Sequence, residues 1–108
     1  MEMSKFVQIS TTTEKIQDAE RISQTLVQKR LAACVQILGP VKSTYWWKQD
    51  VASGEEWLCL VKTKKRLVKK VKDAVSSLHP YDVPEFVVTP ILTGSAPYLN
   101  WLNSELHT

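Results

Sequence analysis

A chain of 108 residues and 12.3 kDa buries roughly two-thirds of its unfolded surface on folding, which supports one core and a single domain across 1–108. Hydrophobic residues make up 44% and charged residues 23%, with only 3 Gly and 5 Pro, and this excludes a disordered or collagen-like chain. The net charge of +3 hides a division: seven of the 14 basic residues fall within 62–72, with no acid among them, so general nucleic-acid affinity is not implied.

The first apolar run, Phe6-Val7-Gln8-Ile9-Ser10, is rich in strand formers, and the three hydroxyl side chains of Thr11-Thr12-Thr13 are suited to capping a helix. From residue 14, Ile16, Ala19, Ile22, Leu26 and Val27 recur at helical spacing, and this predicts an amphipathic helix to about 29 or 30. Ala33-Cys34-Val35-Gln36-Ile37-Leu38, Gly39-Pro40 and Val41-Lys42-Ser43-Thr44-Tyr45-Trp46-Trp47 read as one bent strand with a bulge at Gly-Pro. A polar turn is expected over 48–54, then a strand over 55–63 that is apolar on both sides for most of its length.

Leu67, Val68, Val71, Ala74, Val75 and Leu78 form the stripe of a second helix, with the basic run on its other side and Pro80 ending it. Residues 86–92 read as a fourth strand with Pro90 marking an edge or a bulge, and a short terminal helix follows with Tyr98, Leu99, Trp101 and Leu102 as its apolar face. The order β-α-β-β-α-β-α, with right-handed crossovers, predicts an α+β fold: a ferredoxin-like βαββαβ sandwich with an antiparallel sheet and an additional C-terminal helix. Two helices cover one sheet face, yet Tyr45, Trp46, Trp47, Trp57 and Trp101 remain for the other side, so self-association is expected.

No apolar run approaches the length of a membrane span, and residues 1–5 lead into no signal-peptide core, so a cytosolic location without membrane contact is expected. Cys34 and Cys59, 25 positions apart among apolar neighbours, form no CxxC motif and read as core thiols. The densest set of chemical groups is the loop Leu78-His79-Pro80-Tyr81-Asp82-Val83-Pro84-Glu85, which offers an imidazole, a phenol and two carboxylates for a metal. The same residues also suit a plain helix terminus, and one histidine with nearby carboxylates matches no strong zinc spacing. No Ser or Cys stands beside either histidine in an activating motif, no Gly-rich phosphate cradle occurs, and the RNA-recognition signature is missing.

The segments Leu31-Ala32-Ala33-Cys34-Val35, Ser43-Thr44-Tyr45-Trp46-Trp47, Val61-Lys62-Thr63, the 79–85 loop and Tyr98-Leu99-Asn100-Trp101-Leu102 stand in an order that resembles the CutA divalent-cation tolerance family, over almost all of 6–106. The resemblance implies a tight homotrimer of ferredoxin-like protomers, a cytosolic protein tied to tolerance of copper and other divalent metals, and no enzymatic reaction. Members that bind copper look to have a cysteine near the end of the first strand and a double histidine before the Pro-Tyr. Here those positions read Ser10 and Leu78-His79. Losing a thiolate and an imidazole weakens a site for a soft ion. The expectation is therefore weak binding of a divalent ion, copper or zinc, by His79, Asp82 and Glu85, in inter-subunit clefts lined by Tyr45, Trp47, Lys62 and Tyr81, with no organic cofactor and no nucleic acid. A rival reading is a signalling trimer that holds a small anion against Lys62, and a third is a partner-binding scaffold.

Overall fold

The computed structural model describes residues 5–107. In chain order it contains β1 (Phe6–Thr13), α1 (Ile16–Gln28), β2 (Cys34–Trp47), β3 (Asp50–Lys64), a single 3-10 turn (Lys65–Leu67), α2 (Val68–Leu78), β4 (Val87–Pro90) and α3 (Ala96–Ser104). The four strands form one antiparallel sheet in the order β2-β3-β1-β4. This is the split βαβ arrangement with a C-terminal helix that the element order predicts.

Period-2 alternation decides which residues meet the helices. Val7 and Ile9 of β1 pair with Thr63 and Val61 of β3. They pack with Ile22 and Leu26 of α1 and Val71 and Val75 of α2 into the main core. Six of these apolar side chains, Ile9, Val61, Ile22, Leu26, Val71 and Val75, are fully buried. Each contributes roughly 1.5–3 kcal/mol relative to exposure. A smaller cluster of Leu67, Leu102 and Leu106 fastens α3 beside the end of β3.

Four local expectations change. Thr11, Thr12 and Thr13 do not cap a helix; they complete β1, opposite Cys59, Leu58 and Trp57. β-Branched side chains suit the pleated surface, and sheet pairing satisfies their backbone better than an isolated cap. α1 instead starts after Lys15 with no side-chain cap, while the Thr13 hydroxyl donates to the Lys15 carbonyl at 2.8 Å. The turn expected over 48–54 shrinks to Lys48-Gln49, both left-handed at φ 50° and 69°, so that 50–54 extends β3. Two consecutive left-handed residues are what the twist of a tight hairpin requires. β4 is confined to Val87–Pro90 at the sheet edge, where a proline costs no ladder bond. In α3 Leu102 is buried, but Tyr98 and Trp101 face outward and stack on each other with ring centroids 5.5 Å apart.

The bulge falls where Gly39-Pro40 predicts it, as a register shift between Leu38 and Val41 with a cis peptide at Gly39-Pro40. Gly39 is required by close approach, since a Cβ there would stand 2.7 Å from the Trp57 ring. Beyond the bulge β2 and β3 run on together as an arm, and the chain measures 44 × 27 × 22 Å. The arm holds Trp46 at 74% exposure, Val51 at 62% and Trp47 at 61%. Among the described residues, no helix is long and apolar enough to cross a membrane.

Candidate functional site

Where the arm leaves the sheet, a cleft of about 810 Å³ opens between three walls. The end of β1 supplies Thr12 and Glu14, and the arm supplies Ser43, Thr44, Tyr45 and Trp47 of β2 with Glu56 of β3. The loop between α2 and β4 supplies Tyr81, Asp82, Val83 and Glu85. The volume lies in the range of small-molecule sites.

The loop is anchored from inside by its histidine. Pro80 bars α2 from continuing, so His79 turns extended and its ring enters the protein, 8% exposed. Nε2 lies 2.7 Å from the Thr12 carbonyl, and Nδ1 accepts the Tyr81 amide hydrogen at 3.1 Å. A carbonyl only accepts and an amide only donates, so these partners fix the neutral tautomer with its proton on Nε2. Arg21 of α1 adds an outer tie, donating to the Leu78 carbonyl at 3.1 Å.

Held this way, Tyr81 reaches across the cleft, and its hydroxyl donates to Glu56 Oε2 at 3.0 Å. Burial pushes the phenol pKa well up, and the Glu56 hydrogen bond and the nearby Glu56 and Glu14 carboxyls push it further. Tyr81 is therefore a donor, not a phenolate, across the ordinary pH range. Four carboxyl-bearing residues line the cleft, and none of its described lining residues is basic.

Asp82, Glu85, Tyr45, Trp47 and Tyr81, all expected at the site, do meet in this cleft. His79 and Lys62 do not line it. His79 already uses both ring nitrogens, so it has no free lone pair for a metal and acts as the anchor of the loop. Lys62 lies farther back along β3, opposite Cys34 and Gln8, and its ammonium donates to the Gln36 side chain. Cys59 is buried and its thiol is raised to about 11 by burial, only partly offset by the Ser23 hydroxyl, while Cys34 is half-buried; neither lines the cleft. The sequence reading missed Glu14 and Glu56. Glu56 was legible in principle, because period 2 along β3 puts it on the face of Leu58, the partner of Thr12. Glu14 marks only the start of the helical stripe in the sequence.

The sequence profile described as CutA1 divalent ion tolerance protein matches residues 7–105. The chain belongs to this CutA1 family. The divalent-cation tolerance protein CutA of Thermus thermophilus is 43% identical over 100 residues, which is 93% of this chain and 95% of that protein. The solved structure of CutA1 from Shewanella sp. SIB1, at 34% identity, superposes with a TM-score of 0.95 over 99% of this chain and 100% of that one. Human protein CutA is 38% identical over 94 residues, 87% of this chain but 51% of its own length, so the chain spans about half of that relative. For a CutA1-family chain the donor set is then the central question. Among the described residues, no group of three or more His, Cys, Asp or Glu side chains is gathered closely enough to hold a metal ion. The cleft carboxyls stand apart across an open space, and the one nearby imidazole is taken.

Proposed function

We propose that this chain serves divalent-cation tolerance as a cytosolic homotrimer that holds a divalent cation weakly in this cleft, at the boundary between subunits. The observation that carries the proposal is the cleft wall, with Glu14, Glu56, Asp82 and Glu85 and, among the described residues, no basic one. Dispersed oxygen donors suit an ion that keeps much of its water shell, and they bind at about 10⁻⁴ M rather than tightly. Selective capture of copper would call for thiolate or free imidazole, so copper is held here as one divalent ion among several. The role is binding, not turnover. A small anion is disfavoured, because the cleft would repel it and Lys62 is engaged elsewhere.

Support for the trimer comes from what one copy leaves bare. The arm exposes Tyr45, Trp46, Trp47 and Val51. An apolar group of that size on a projecting ribbon is the signature of an interface. Neighbouring copies packed along the arm would cover the aromatics and close the open side of each cleft.

Calorimetric titration of the metal-stripped protein with Mn²⁺, Zn²⁺ and Cu²⁺ tests the ion. The expected result is weak binding of all three, weakened roughly tenfold or more by the paired change Asp82→Asn and Glu85→Gln. Absence of heat from every ion would refute it. Light scattering at micromolar dilution tests the assembly, and the mass of one folded chain would end the trimer. Recovery of the protein outside the cytosolic fraction would remove the proposed location.

A further inference from the structure

At the end of β1 away from the cleft, Lys5, Lys64, Lys65 and Arg66 line a depression of about 490 Å³, and among the described residues no acid stands in its wall. Lys64 is the unusual member. It closes β3 opposite Phe6 and is only 7% exposed. Among the described residues its ammonium has no hydrogen-bond or ion-pair partner. Lys64 nevertheless lines the depression, so a largely covered side chain brings its charge to the wall.

The surroundings are fixed by the fold. The Lys65 amide donates to the Lys5 carbonyl at 2.9 Å, which locks the backbones of two wall residues together. One Arg66 Nη donates to the His107 carbonyl at 2.7 Å, which steers the guanidinium while leaving it further N–H groups. Burial first, then the Arg66 and Lys5 charges, lowers the Lys64 pKa. A nearly covered cation ringed by like charges is unfavourable until an anion completes it.

We propose that this depression binds a small phosphate-bearing anion, with Lys64 at its floor and Lys5, Lys65 and Arg66 around it. The chemistry fits the group: a guanidinium fork and three point charges meet an oxyanion that carries more than one negative charge. Among the described residues no aromatic side chain lines the depression, whereas a single-stranded nucleic acid is held in a basic groove with aromatic side chains on which the bases stack. The depression shares no lining residue with the cleft.

The test is calorimetry on metal-free protein at low salt, with inorganic phosphate, pyrophosphate and chloride. Pyrophosphate should bind more tightly than phosphate, and chloride should give no heat. Lys64→Gln should weaken pyrophosphate roughly tenfold or more, while Lys62→Gln, remote from the depression, should leave it unchanged. If Lys64→Gln does not fold, exposed Lys65→Gln serves the same purpose, with a clear loss expected. A sugar phosphate or nucleoside triphosphate that binds more tightly than pyrophosphate supports the site and names the carrier of the phosphate. The proposal is overturned by absence of heat from all phosphates, or by equal affinity in both Lys64→Gln and Lys65→Gln. It is equally overturned if binding appears only in dissociated chains, because a carboxylate of a second copy then fills the site. Tighter binding of a single-stranded oligonucleotide, lost on changing Lys69 and Lys70, would assign the basic segment to nucleic acid instead.

Discussion

At its C-terminal end β1 leads Thr12 and, just beyond the strand, Glu14 to a cleft whose charged lining is acidic among the described residues, whereas at its start Lys5 joins Lys64, Lys65 and Arg66 around a depression whose described wall is basic. The two places are joined by a strand of eight residues. At strand rise that separates them by about 25 Å. Screening at physiological salt acts over about 8 Å, so neither end feels the other through water. The net charge of +3 therefore describes neither end. One sheet can present a cation-attracting and an anion-attracting surface without the two neutralising each other, provided a rigid element keeps them apart.

That rigid element is the first thing to break. Ile9 sits at the middle of β1, fully buried between Val61 and Val88. Ile9→Ala should cost about 2–5 kcal/mol in urea or thermal unfolding, through lost burial and the cavity left behind. Because the strand carries both ends, the cation and anion titrations should fail together as temperature rises. Loss of one with retention of the other would show that the ends are independent of the strand. Next in size is Gly39→Ala, at the root of the arm. The added Cβ meets the Trp57 ring at 2.7 Å, and overpacking of this kind costs about 1–3 kcal/mol. It should tilt the arm and disturb the cleft, while the Lys64 end keeps its anion affinity.

The contrast between the ends also explains which parts of the molecule were legible in the sequence. The helices showed themselves because one stripe of apolar residues at helical spacing, such as Ile22 and Leu26, settles both their existence and their buried face. The bent β2 strand was marked by Gly39-Pro40. The Thr11-Thr12-Thr13 segment misled because a hydroxyl run serves a cap and a strand end equally well, and only its pairing with Trp57, Leu58 and Cys59, far along the chain, decides. His79 misled for a related reason. Residue type offers it as a ligand, but two backbone partners, one of them 67 residues away, take both its nitrogens. The basic run over 62–72 read as one solvated helix face. In the fold, Lys64 belongs to a strand and Lys69 to a helix, and only Lys64 is covered.

A smaller change sharpens the acidic end. Tyr81→Phe removes the hydroxyl that donates to Glu56 and should cost about 1 kcal/mol at neutral pH. Its pH signature is specific. The Tyr81 pKa is raised above the ordinary 10.0, so above pH 10 the unfolded phenol loses its proton before the folded one. The native state then holds more protons than the unfolded state, and stability falls as pH rises. Tyr81→Phe should flatten this alkaline decline in a series of urea midpoints. An unchanged slope would place the decline elsewhere.

At the basic end the sign reverses, and the effect at neutral pH is the smallest of the four. The Lys64 pKa lies below its ordinary 10.5, so between the folded value and 10.5 the unfolded chain binds more protons than the native one. Stability contributed at this position therefore rises with pH through that window. Lys64→Met keeps an unbranched stem under the same cover and removes the charge. It should be slightly more stable than the parent at neutral pH in the absence of phosphate, with the advantage shrinking as the parent lysine loses its proton. Adding pyrophosphate at neutral pH should reverse the order, because the anion stabilises only the protein that can bind it. The parent should gain more in melting temperature than Lys64→Met, and that difference should fade as pH climbs through the lowered lysine pKa. A gain of equal size in Lys64→Met would mean that the anion rests on the exposed cations, and the two ends of β1 would then differ in charge without differing in kind.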